Sequence, residues 1–364
     1  MARKTLDIQF PTAGVVRRMG LRASTGGRGP FPAPWATNAR LEDGLTNRLR
    51  GGSFTAIDAT AKDDPVYRDR AITFSGAVVT ASRQGDHDDT DLDCDVSDMQ
   101  RPTIFALAKA GETPATVVAV APYEDSSMLC FTADQTWALR GDPLSGSFGN
   151  VSREVGIIAE EAWCSSHGTF YFLSSQGLYS VGADGSGLKP LSEDLIPDEL
   201  IDVDDDDCTL TYNHADRGVY IHLSDADVSW FYDTAREQFW PFTTESTDSH
   251  VLIGPFRLGQ VNSYGRVLNL HGTIATGSDD VDWRLVTGDS AEAAAANGKA
   301  AIEAALAGES YSDYVAASGA WSAGRTHLAY PRIRAVWCCV WLASEGTWAY
   351  ESVVMSATVS GRWR

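Results

Sequence analysis

The 364-residue chain has no apolar run near the roughly 20 residues that a bilayer-spanning helix requires. Its basic N-terminus (MARKTLDIQFPTAGVVRR) lacks the continuous apolar stretch of a secretory signal, so the sequence reads as a soluble protein that is not exported by the general pathway. Cysteine is sparse and scattered. Cys94, Cys130, Cys164, Cys208, Cys338 and Cys339 contain no C-x-x-C pair, which excludes a zinc ribbon and a thioredoxin-like motif. Several lie in strand-like segments beside aromatics, where a reduced thiol acts as a small hydrophobe.

Positive charge is scarce beyond the N-terminus. Residues 1–50 carry nine Lys/Arg and three Asp/Glu, a charge of +6; the whole chain is −20, which leaves −26 on the rest. An acidic body argues against sequence-specific DNA binding, which needs a basic face. A basic arm on such a body suits docking onto a neighbouring subunit of opposite sign, with Arg3, Lys4, Arg17, Arg18, Arg22 and Arg28 as the docking residues. The alternative is a solvated tail on an acidic surface.

What the chain has in quantity is aromatics: 11 Trp, 12 Tyr and 13 Phe. They fall into a pattern that occurs three times, an apolar strand, a tight polar turn and a second aromatic-rich strand. The copies are 129–139 (LCFTADQTWAL), 169–181 (TFYFLSSQGLYSV) and 218–233 (GVYIHLSDADVSWFYD). Centres about 40 to 50 residues apart match the period of a β-propeller blade rather than a helical solenoid. Core packing is the common use of such residues, and Trp137, Phe172, Tyr179, Trp230, Tyr232 and Trp240 are the expected propeller core aromatics.

The expected fold is all-β: a β-propeller-like body with a short Ala-rich helical insertion and a C-terminal β-sheet region. Residues 1–34, rich in breakers such as GGRGPFPAP, read as an extended N-terminal arm, and 35–287 as the propeller-like body. Within it, 34–57 suggests two short strands around a turn, 71–80 one strand, and 83–99 (RQGDHDDTDLDCDVSDM) an exposed loop driven open by like charges. Residues 288–310 hold the helical insertion (SAEAAAANGKAAIEAAL), capped at Asp289 or Ser290 and expected as an outside excursion. Gly298 leaves open two short helices. Residues 311–364 return to strands that close the propeller or form a small β-sandwich.

Catalytic and metal patterns are weak. The runs Asp86, Asp88, Asp89, Asp91, Asp93, Asp95 and Asp202, Asp204, Asp205, Asp206, Asp207 lack the glycine and glutamate spacing of an EF-hand, so solvated loops are the better reading. Ser165–Ser166–His167 has neither a third residue nor a G-x-S-x-G elbow beside it, and the histidines fall at no ligand spacing. The glycine-rich pieces 141–149 and 182–187 match no phosphate loop; the second reads as a turn. No cofactor is expected.

One arrangement is familiar. Trp35, Asn38, Arg40, Gly44, Arg48, Arg50 and Gly51 form W-x-x-N-x-R-x-x-x-G-x-x-x-R-x-R-G. LCFTADQTWALRG, FYFLSSQGLYSV and VSWFYDTAREQFWPF follow in order. The sequence from 35 to 245 resembles tailed-phage β-propeller tail and head-completion proteins, the tail nozzle (tail tubular protein B-like) and packaged-DNA-stabilising plug families. The resemblance implies a non-enzymatic virion protein made in the host bacterial cytoplasm. It implies a six-fold ring of identical copies at the tail or head–tail channel, contacts with neighbouring tail or connector proteins, and transient passage of DNA without specific binding. The competing expectations are a carbohydrate- or receptor-binding propeller and, behind it, a glycosidase using carboxylates such as Asp134, Glu160 or Asp233.

Overall fold

The computed structural model describes the backbone of residues 3–8, 35–37, 39–41 and 49–51. From 65 to 362 it describes all but 109–111, 197, 202, 205–207, 224–228, 244–247, 260–262 and 323–326. The described residues are strands joined by turns, with one helix, Ala291–Leu306. The chain divides into two compact units: Ile57–Asp227 forms one, and Met1–Ala56 together with Val228–Arg364 forms the other. The expected boundaries at 34/35 and 287/288 therefore do not separate units, because strands from both sides of each share the same sheets.

Unit 57–227 is built from antiparallel up-and-down sheets of the propeller-blade type. A three-stranded sheet (Ile72–Ser75, Val78–Ala81, Thr103–Ala106) is followed by two four-stranded ones. The first of these is Val117–Tyr123, Ser127–Thr132, Thr136–Arg140 and Ser147–Ser152; the second is Trp163–Ser166, Thr169–Ser174, Gly177–Gly182 and Lys189–Pro190. The hairpin Cys208–Asn213/Gly218–Leu223 ends the unit. Residues 71–80 thus form a hairpin rather than one strand, because Gly76 takes the left-handed conformation (φ 56°) that turns the chain.

These sheets pack face to face through aromatics. Trp137 stacks on Phe148 (5.1 Å between centroids, planes 6° apart), and Phe148 meets Phe105 of the three-stranded sheet at 5.6 Å. On the opposite face Phe131 and Tyr123 meet Phe172 and Phe170 of the following sheet, at 5.0 and 5.9 Å. Ser127–Thr132 is buried at every position, so the two-residue alternation of a half-exposed strand vanishes there. The turn at 182–187 seats back on the preceding sheet: Ser127 Oγ donates to Ala183 O and Arg140 to Asp184 O.

The split unit holds the hairpin Ser229–Asp233/Gln238–Phe242 and two larger sheets. In the larger, Ser263–Ile274 and Trp348–Arg362 pair along most of their length, and Leu49–Gly51, Ala39–Leu41 and Arg3–Ile8 add to the latter strand's side. In the other, Trp337–Ser344 lies between Ser249–Arg257 and Val281–Gly288. The C-terminal strand therefore pairs with early strands, and residues 3–8 are a strand rather than an arm.

The helix is capped by Ser290, whose side chain accepts from Ala293 N–H. It is not an outside excursion. Ala294, Ala301 and Ile302 are buried against Leu252, Val286, Cys339 and Trp341 of the sheet centred on Trp337–Ser344. It is also continuous through Gly298, where a Cβ would stand 2.6 Å from Leu252 Cδ2. Alanine is about 1 kcal/mol better than glycine in an isolated helix, yet here the close approach decides. Gly298→Ala is expected to destabilise this unit by about 1–2 kcal/mol through overpacking, read as a lower melting temperature; a rise would show that the helix sits looser on the sheet than its geometry indicates.

Candidate functional site

Two features of unit 57–227 concentrate polar chemistry. The first is a ring cluster shown by two turns. Trp163–Ser166 and Thr169–Ser174 are joined by His167 and Gly168, both left-handed (φ 50° and 79°), the conformation of a two-residue hairpin turn. The turn after Cys208–Asn213 is tied by Asn213, whose Oδ1 accepts from the Ala215 and Asp216 N–H groups, and it displays His214. His167 and His214 are exposed, with ring centroids 5.9 Å apart. Tyr212 lies 5.0 Å from His214 and 6.4 Å from His167, and it runs nearly parallel to Tyr171 at 6.4 Å.

The Ser–His pair singled out in the sequence is real as a contact: Ser166 Oγ and His167 Nδ1 are 2.6 Å apart. It is not a nucleophile–base arrangement of the triad kind. Ser166 is buried (7% exposed), and the groups shown beside His167 are the Tyr212 and His214 rings rather than an orienting carboxylate.

The second feature is the acidic loop, 83–101. It contains no strand, as its charge demands, but its turns are hydrogen-bonded one after another. Asp86, Asp89, Asp91, Asp95 and Asp98 each accept, through a carboxylate oxygen, the backbone N–H two residues on, a chain of Asx turns. The Ser97 N–H and hydroxyl hold the Asp95 carboxyl below its ordinary value. Arg83 pairs with Asp89 and Asp98. Beneath lies Arg70, completely buried. Its Nη1 donates to the carbonyls of Ser82 (2.7 Å), Gln100 (3.1 Å) and Arg101 (2.8 Å), its Nη2 to Met99 (3.3 Å), and its Nε faces Asp142 at 3.7 Å. Sequence reasoning missed Arg70, since nothing in its neighbourhood marks a buried cation.

The remaining expected positions fall as follows. Trp137, Phe172, Tyr179, Trp230, Tyr232 and Trp240 are all buried. Arg3 and Lys4 lie in the strand Arg3–Ile8, opposite Thr358 and Ala357 of their own chain, so they are not on a free arm. Arg17, Arg18, Arg22 and Arg28 lie outside the described residues, as do Asp202, Asp205, Asp206 and Asp207. Asp134 and Glu160 are exposed, while Asp233 is buried and spent on its own turn, accepting from Ala235 and Arg236 N–H and pairing with the Arg236 guanidinium at 3.0 Å. Of the cysteines only Cys94 is partly exposed; burial pushes the Cys130 and Cys338 thiols up to about 12.

The split unit contains a buried polar group of its own. His250 Nδ1 accepts from Trp341 Nε1 at 3.2 Å. The Arg284 guanidinium lies over the Trp341 ring (4.3 Å) and the Tyr311 ring (5.0 Å) and donates to Asp282.

No family model matches the chain, and no curated protein does. Among solved structures, the AfRom2 CNH domain is 9% identical over 63% of this chain and 79% of its own, with a TM-score of 0.29. SGBP-B from a complex xyloglucan utilization locus in Bacteroides uniformis is 10% identical over 88% and 99%, with a TM-score of 0.13. Likenesses at these scores carry no argument about the fold or the function of this chain.

Proposed function

We propose that the chain is a structural, non-enzymatic component of a tailed-phage virion, one of several identical copies forming a ring at the tail or the head–tail channel through which DNA passes. The observation that carries this reading is the acidic loop fixed over Arg70. Loop charge is commonly mobile, but here Asp86, Asp89, Asp91, Asp95 and Asp98 are held in Asx turns and the two ends of the loop are tied to a buried guanidinium, on a chain of net charge −20. Affinity for DNA comes from neutralising phosphates. A rigid acidic surface withholds that neutralisation, so a polyanion can slide past without binding. The aromatic interleaving of successive sheets, which gives unit 57–227 a filled core, fits a part that resists deformation. The order of the sequence motifs from Trp35 to Phe242 supplies the virion context.

Mass photometry of the full chain, with labelling of purified virions by an antibody to it, tests the reading. A closed oligomer, six-fold or a multiple, and labelling confined to one end of the tail or its junction are expected. A monomer at micromolar concentration that is absent from virions would overturn it, and retention on a glycan array or turnover of an aryl glycoside would redirect it. Because Arg3–Ile8 is part of a sheet, charge reversal at Arg17, Arg18, Arg22 and Arg28 is a cleaner test of basic-arm docking than truncation.

A further inference from the structure

We propose that His167 and His214 together bind a divalent transition metal of the imidazole-seeking class (Zn2+, Ni2+ or Cu2+), which clamps their two turns together. In sequence the residues are remote and match no ligand motif; the fold brings their rings to 5.9 Å, with planes 75° apart. A metal about 2.0–2.1 Å from a ring nitrogen lies about 3.2 Å from the ring centroid, so two imidazoles on one tetrahedral ion have centroids about 5.2 Å apart. The observed separation exceeds that by about 0.7 Å, and rotation of the two side chains on their exposed turns would both close it and turn a nitrogen of each ring toward a shared ion.

The surroundings suit a ligand pair. Ser166 Oγ holds His167 Nδ1 at 2.6 Å, the outer-shell hydrogen bond that orients a ligating imidazole and leaves Nε2 as the free nitrogen. Both imidazoles are exposed, so an ion enters without opening the core. The Tyr212 ring beside both supplies an apolar wall. Among the described residues no group of three or more His, Cys, Asp or Glu is placed to hold a metal, so the two histidines would be joined by water in the remaining positions. Such a nitrogen-only pair favours Zn2+, Ni2+ or Cu2+ over Mg2+ or Ca2+, which seek oxygen.

The test is calorimetric titration of the full chain with ZnCl2, NiCl2 and MgCl2, with melting curves in parallel. The expected result is one saturable site for Zn2+ and Ni2+ with a raised melting temperature, and no matching site for Mg2+. His167→Ala and His214→Ala should each weaken Zn2+ binding about tenfold or more, and Ser166→Ala by about tenfold. His87→Ala, in the acidic loop, should leave it unchanged. Circular dichroism confirms that each variant folds. Absence of a saturable Zn2+ site, or wild-type affinity in the His167→Ala/His214→Ala double variant, would overturn the proposal.

Discussion

Replacing Arg70 by alanine is expected to remove about 3–5 kcal/mol from the stability of unit 57–227, the range for breaking a buried, hydrogen-bonded charge. The substitution strips the carbonyls of Ser82, Met99, Gln100 and Arg101 of a shared donor and leaves a void where a completely buried side chain stood. Those carbonyls belong to the end of one strand and to the far end of the acidic loop, so the loop loses its anchor together with the core. Lysine keeps the charge but not the planar fork that reaches several acceptors at once, and Arg70→Lys should recover only part of the loss. Urea denaturation gives the magnitude, and hydrogen exchange locates it: amides of residues 83–101 should lose protection first. If Arg70→Ala unfolds within about 0.5 kcal/mol of the wild type and the loop stays protected, the guanidinium is not what fixes the acidic surface.

The second large effect depends on pH and belongs to the split unit. Burial pushes the His250 pKa down from 6.5 to about 4; the Asp248 carboxylate opposes the shift and the Arg284 guanidinium adds to it. The unfolded chain therefore takes up a proton at this position near pH 6.5, and the native protein only near pH 4. Between those values the unfolded state binds more protons, so the stability that neutral His250 provides is whole above pH 6.5 and drains away as the pH falls to about 4. At about 1.4 kcal/mol per pH unit the loss amounts to roughly 3 kcal/mol over the window. Carboxylates titrate in the same range, so the measurement is a difference. Urea midpoints of wild type and His250→Asn should converge as the pH is lowered from 7 to 4.5, asparagine still offering Trp341 Nε1 an acceptor. Parallel pH dependences would show that His250 is not held neutral.

The sheets were legible where local pattern suffices. Runs such as 129–139 and 169–181 carry both strands and their turn within a dozen residues, and the alanine-rich run announces the helix. What escaped depends on distant partners. Arg70 reads as surface charge until the loop 30 residues on supplies its acceptors. Gly298 reads as a flaw in a helix until Leu252 is brought against it, and His167 and His214 acquire a shared environment only when their turns meet. The division at 227/228 left no compositional mark, because Gly218–Leu223 and Ser229–Asp233 read as one hairpin continuing the repeat. The third copy of that repeat has both of its strands, while the turn between them (224–228) lies outside the described residues.

The pairing of Arg3 with Thr358 sets an order of events during synthesis. Unit 57–227 is contiguous in sequence, whereas the strand Arg3–Ile8 is synthesised about 345 residues ahead of its partner, Trp348–Arg362. At about 5–20 residues per second the first strand spends roughly 20–70 s without that partner. During this interval it is an unpaired strand, open to pairing with another copy of the chain. The charged pair Arg3–Lys4 at its start is the kind of residue that keeps such an edge from pairing with the wrong copy.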